Sequence, residues 1–333
     1  MKKNVKIILL SSVAVLLLAV VTFLCVWFLG AKYPSYDRMV KYHSNIPALD
    51  ESIVPQGLCA LNENSDGYDF AMSGYSADDQ PSRIYLIDED TNESKWFTLK
   101  NSSGKLYTSH FGGVACGENY LYVTSGENIL RVSLVDIFSA INGAEITVFD
   151  SFSSGISNSF CYLQDGYLYT GEFVNNKKYI APKEHELIVS GGVTHYALTF
   201  VFAIDETKEG GVKSNIPEKV ISTINKVQGM AVTSDRIYLS TSYGLSDSVF
   251  YSYENILNSQ PSGKFDVGGN LVDLYYLDDS ALVQKINAPS MSEGICVKNG
   301  RLYILYESNS VKYKLFTRRK AKTLESIELY NWN

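Results

Sequence analysis

The sequence predicts an all-β fold, a β-propeller of four-stranded blades, preceded by one transmembrane helix. Three observations predict it. The 333-residue chain is 45% hydrophobic and only 20% charged, which excludes disorder and obliges it to bury a large core. Its aromatic side chains are 24 Tyr against 15 Phe and 3 Trp, a bias toward half-buried pleated surfaces rather than helical bundles. A pair of short strands, the first opened by a polar residue and usually Gly, recurs five times along the chain.

In chain order the first element is the helix. Residues 7–30 carry no charge, and Ser11, Ser12 and Thr22 are their polar breaks, which is enough apolar length for a bilayer that needs about 20 residues. Lys2, Lys3 and Lys6 precede the run and only Lys32 follows closely, so residues 1–6 form a cytoplasmic tip, 7–30 a signal anchor and 31–45 a stalk. The expected localisation is the cell membrane, single-pass, with the C-terminal domain extracytoplasmic. A cleaved signal peptide is the rival reading, but its apolar region runs about 7–15 residues to an Ala-x-Ala-like site, which Leu29-Gly30-Ala31 does not match. A lipoprotein acylated at Cys25 lacks small residues at Thr22-Phe23-Leu24. Beyond the anchor, 26 basic and 36 acidic side chains leave a net charge of −10, which argues against nucleic acid as a partner.

Residues 46–333 read as one propeller. The five pairs run from Gln56-Gly-Leu-Cys-Ala to Phe70-Ala-Met-Ser-Gly-Tyr75, and from Gly112-Gly-Val-Ala-Cys to Leu121-Tyr-Val-Thr-Ser125. The third links Asn158-Ser-Phe-Cys-Tyr to Leu168-Tyr-Thr-Gly-Glu172. The fourth links Gln228-Gly-Met-Ala-Val to Ile237-Tyr-Leu-Ser-Thr-Ser-Tyr243, and the fifth Glu293-Gly-Ile-Cys-Val to Leu302-Tyr-Ile-Leu-Tyr-Glu307. Third strands are expected at 84–88, 130–136, 200–205 and 274–278, and fourth strands at 96–99, 146–149, 219–223 and 282–285. Outer strands at 312–316 and 327–332 would complete the fifth blade. Insertions are expected around 175–194 and 251–269, so the count is five blades, or six if an insertion hides a degenerate one. Residues 33–52 are the natural strand to close the ring, which protects the edges of a propeller.

The tripeptide Tyr122-Val-Thr resembles YVTN and NHL blades, and Ser292-Glu293-Gly294-Ile295 resembles the opening of senescence-marker/gluconolactonase blades. The stretch from Met291 to Ser308 with Lys312-Tyr313 is similar to secreted bacterial propellers of no assigned reaction. The gluconolactonase resemblance implies a divalent metal on the axis, held by a Glu matching Glu293 and an Asn matching Asn158. The remaining positions hold no Asp; they are Gln56, Gly112 and Gln228.

Inner strands start, and second strands end, at one face of a propeller, so those positions should converge on an axial pocket. They supply Gln56, His110, Asn158, Gln228, Tyr243, Glu293 and Glu307 as ligand-binding candidates. Asn158, Glu172, Glu293 and Glu307 are hard oxygen donors suited to Ca²⁺. The leading expectation is a membrane-anchored module binding a glycan, peptide or envelope protein, and the alternative is a calcium-type hydrolase or lyase. A third reading is a purely structural scaffold for a membrane complex, and a polar, watered axis with no ligand would suit it. If Glu293 and Glu307 face each other, repulsion would raise one pKa, whereas Arg301 or Lys312 as ion-pair partners would make them structural. His185 and His195, beside Glu184 and Glu186, read as part of an exposed loop. Cys59, Cys116, Cys161 and Cys296 fall on inner strands of four blades, too far apart for disulfides, and are expected as four buried thiols.

Overall fold

The computed structural model describes residues 2–29, 32–62, 65–175 and 177–332, and within the N-terminal helix the side chains of 11–25 and 27. Five blades surround one axis. Their inner strands are Ile53–Ala60, Val114–Cys116, Asn158–Gln164, Val227–Val232 and Ser292–Lys298, each beside the next and the last beside the first. Each pairs antiparallel with the second strand the repeat predicted: Phe70–Ser76, Tyr120–Ser125, Tyr167–Glu172, Arg236–Thr241 and Arg301–Tyr306.

The glycine of the repeat has a steric cause. A Cβ on Gly57 would lie 2.7 Å from the Gly113 backbone, one on Gly113 2.3 Å from the Cys161 amide, and one on Gly294 2.5 Å from the Leu58 amide. Around the narrow axis the inner strands of four blades therefore touch a neighbouring backbone at a glycine, and the third blade holds Ser159 at that position. In four of the blades the strand register also shifts at this point, a bulge that re-aims the neighbouring polar side chain.

Lys41–Asn45 closes the ring by pairing with Thr323–Glu328, so the fifth blade combines both ends of the chain. The expected stalk is thereby corrected. Tyr33 is 5% exposed and Tyr36 is fully buried, its hydroxyl donating to Glu325 at 2.6 Å, so the propeller begins near residue 33 rather than 46.

Three outer strands also differ from expectation. Ala144–Thr147 runs parallel to Ser94–Lys100 of the first blade, and Asp150–Ser153 is the true fourth strand of the second. Asn270–Tyr276 likewise crosses to Lys219–Thr223 of the third blade, while Ser248–Glu254 and Leu282–Ala288 complete the fourth. Each crossing strand covers an outer edge left unpaired by its own blade, a demand that strand composition does not encode. Residues 312–316 form turns in a long connection rather than a strand, because the closing strand already fills that edge.

The predicted N-terminal helix forms as Lys2–Leu29. Among the described residues no helix is long and apolar enough to cross a membrane; residues 7–10, 26 and 28–30 of the predicted span lie outside the described side chains. Cys59, Cys161 and Cys296 are buried and unpaired as expected, whereas Cys116 is only half-buried.

Candidate functional site

The starts of the inner strands and the ends of the second strands gather at one end of the axis, the mouth. At its centre Glu293 and Glu307 face each other, 2% and 9% exposed, from the first and second strands of the fifth blade. They share a hydrogen bond. Burial drives both carboxyls above their usual range, Glu307 to about 8; the charge of Glu307 raises Glu293 further, whereas the Lys312 charge and the hydrogen bonds of Gln56 and Glu293 hold Glu307 lower. With both carboxyls raised, the pair is protonated near neutral pH and begins to ionise as pH rises through about 8.

Amides extend the pair on both sides. Gln228 Nε2 donates to Glu293 Oε1 at 3.1 Å, and Gln56 Nε2 donates to Glu307 Oε2 at 3.1 Å and to the Pro55 carbonyl at 2.7 Å. Gln56 Oε1 lies 2.5 Å from His110 Nε2. The order is therefore Gln228, Glu293, Glu307, Gln56, His110, an unbroken hydrogen-bonded path across four blades.

His110 emerges at the rim with its ring stacked on Tyr75 at 4.1 Å. Its packing, and then the Lys312 charge, lower its pKa, so the imidazole is neutral near pH 7. Lys312 Nζ donates to the Tyr75 hydroxyl at 2.7 Å and lies over the Tyr75 and Tyr313 rings. It makes no ion pair with Glu307, and Arg301 is taken by Glu328 at 2.5 Å. The ion-pair explanation that would have made the two glutamates structural thus fails among the described residues.

The other candidates lie elsewhere. Asn158 Nδ2 donates to the Gly126 carbonyl at 2.8 Å, and its Oδ1 accepts from Ser154 and Thr170, so the side chain is consumed within the fold. Glu172 turns to His185 Nδ1 at 2.9 Å and accepts from the Leu198 amide at 3.1 Å. The proposed metal set of Asn158, Glu172, Glu293 and Glu307 is therefore split, and among the described residues no group of three or more His, Cys, Asp or Glu could hold a metal. His185 and His195 are 7% and 3% exposed, which corrects the exposed-loop reading: His185 pins the 173–196 insertion to Glu172. Tyr243 stands on the rim, 40% exposed, its ring 5.9 Å from Phe173 and outside the hydrogen-bonded path. Sequence reasoning missed the part played by Lys312 and Tyr313. They sit beyond the last repeat strand, in a connection whose path the periodicity does not fix.

Chemically the mouth offers carboxyl groups that donate through O–H and accept through C=O, and tyrosine faces that stack. No family model matches the chain, and no curated protein does. Among solved structures the chain is similar to the glutaminyl cyclase of Myxococcus xanthus, at 10% identity and a TM-score of 0.44, over 87% of this chain and 94% of that one. It is also similar to KlHsv2 with loop 6CD replaced by a Gly-Ser linker, at 8% identity and a TM-score of 0.31, over 76% and 61%. Likenesses this distant bear on neither substrate nor partner.

Proposed function

We propose that this chain is a membrane-anchored extracytoplasmic propeller that binds a glycan, peptide or protein partner at its axial mouth. The observation that carries the reading is the Glu293–Glu307 pair set beneath Tyr75 and Tyr313. Two buried carboxyls without a cation burden a fold, and strongly perturbed groups of this kind concentrate at functional sites. Protonated near neutral pH, the pair presents O–H donors beside carbonyl acceptors, the pattern needed by an amide or by neighbouring sugar hydroxyls. Tyrosine rings supply stacking area with a polar edge. The uncharged run at residues 7–30 and the lysines before it support an anchor with the N-terminus in the cytoplasm. Glycan and peptide arrays probed with full-length protein test the proposal: a ligand retained by the wild type and lost by Glu307→Gln supports it. Equal retention by both forms rejects it.

A second reading is favoured by the same pair. As pH approaches 8, where Glu307 ionises, the two carboxyls become an acid and a base in direct contact, equipped to transfer protons in hydrolysis or elimination. This version needs no contribution from Asn158 or Glu172. Turnover of a peptide or glycan that disappears in Glu293→Gln would favour it over simple binding. A calcium-assisted variant predicts thermal stabilisation by calcium that Glu293→Gln removes.

A further inference from the structure

We infer that the axial mouth faces the membrane and that the 307–322 connection beside it is seated on an anionic bilayer surface. The inference rests on the anchor reading of residues 7–30 and adds to it which end of the propeller meets lipid.

Chain length gives the first argument. The helix ends at Leu29, and Tyr33 is already buried, its hydroxyl donating to Asp247 at 2.7 Å in the mouth-end loop of the fourth blade. Four residue steps reach at most about 14 Å. The mouth end therefore lies within that distance of the point where the helix ends. Side chains agree: Trp27 Nε1 donates to the Phe316 carbonyl at 3.4 Å, and the Arg318 guanidinium lies 3.9 Å from the Trp27 ring centre.

Composition gives the second. Between Glu307 and Glu325 the chain contains Lys312, Lys314, Arg318, Arg319, Lys320 and Lys322 and no acid, in a domain whose net charge is −10. Arg319 is committed to Asp37 and Glu325. Lys314, Arg318, Lys320 and Lys322 have no carboxylate partner among the described residues. Leu315 and Phe316 are 73% and 59% exposed, and at the same end Ile180 and Ile188 of the 173–196 insertion are 74% and 72% exposed. Apolar tips surrounded by unpaired cations suit the headgroup region of an acidic bilayer, whose anionic lipids attract each cation near the surface. A ligand of the mouth would then reach it along the plane of the membrane.

The test uses the full chain in nanodiscs containing phosphatidylglycerol, with Cys25→Ser removing the exposed thiol of the helix. An environment-sensitive fluorophore is placed at Leu315→Cys, at Ile188→Cys, and at Ile141→Cys on the opposite end, where Ile141 is 81% exposed. Spin-labelled lipids should quench residues 315 and 188 and leave 141 bright, and Arg318→Gln with Lys320→Gln should weaken that quenching. Retention of the chain in alkaline-washed vesicles is scored in parallel. A retained chain with residues 315 and 188 as bright as 141 overturns this inference alone. A chain released by the wash overturns the anchor reading and this inference with it.

Discussion

Glu307→Gln should change how stability depends on pH. A carboxyl whose folded pKa is raised from 4.5 to about 8 holds its proton more tightly in the fold than in the unfolded chain. Its stabilisation is fully present below the unfolded value and is lost as pH rises through about 8. His43, His110 and His195 act the other way: each is lowered from 6.5 by burial, so each favours the fold above that value and costs stability only below it. Between pH 6.5 and pH 8 the histidines and Glu293 titrate in both proteins, so Glu307 is read from the difference between wild type and variant across that window. At about 1.4 kcal/mol per decade of proton affinity, the loss over that window is bounded at about 2 kcal/mol. Glutamine keeps the shape of the side chain and removes the titration. Urea unfolding across the window should show the stability of the wild type falling relative to that of Glu307→Gln as pH rises. Parallel slopes for the two proteins would refute the raised Glu307 carboxyl at the mouth.

Three further outcomes follow from the same geometry. Gly294→Ala forces a Cβ to within 2.5 Å of the Leu58 amide, and should cost about 1–3 kcal/mol in denaturant unfolding, whereas Gly263→Ala, with nothing within 4 Å, should be nearly neutral. Burial pushes the thiols of Cys59, Cys161 and Cys296 well above the usual range, so maleimide should leave these three unlabelled in the native protein and label them once it is unfolded. Non-reducing mass measurement should find no bridge among them. Deleting residues 1–45 removes the strand paired with Thr323–Glu328 and should yield aggregated protein by size-exclusion chromatography, because an unpaired blade edge is left open.

The inner half of every blade was legible in the sequence because its constraints are local. A glycine where backbones touch, a polar residue before it and alternating apolar side chains recur in most blades where an inner strand meets the axis. The closing role of residues 33–52 was legible too, since an open ring exposes an edge. Outer strands were not. Ala144–Thr147 and Asn270–Tyr276 are ordinary strands by composition, and their membership in the preceding blade depends on which neighbouring edge needs cover. The site divides in a similar way. Gln56, His110, Gln228, Glu293 and Glu307 meet because their positions in the repeat converge on the mouth. Asn158 and Glu172 hold equivalent positions, but Gly126, Ser154, Thr170, His185 and Leu198 bind their polar atoms first. Periodicity specifies where a side chain starts, and its local partners decide where it points.

The central claim is that the mouth recognises a ligand through the glutamate pair and the tyrosines above it. Its most direct measurement is the affinity of an array-identified glycan or peptide for full-length protein, compared among wild type, Glu307→Gln and Tyr75→Ala. The account predicts that either substitution weakens binding at least about tenfold, the roughly 1.4 kcal/mol expected from one lost hydrogen bond or stacking contact. Wild-type affinity in both variants would contradict it and place recognition on another surface of the propeller.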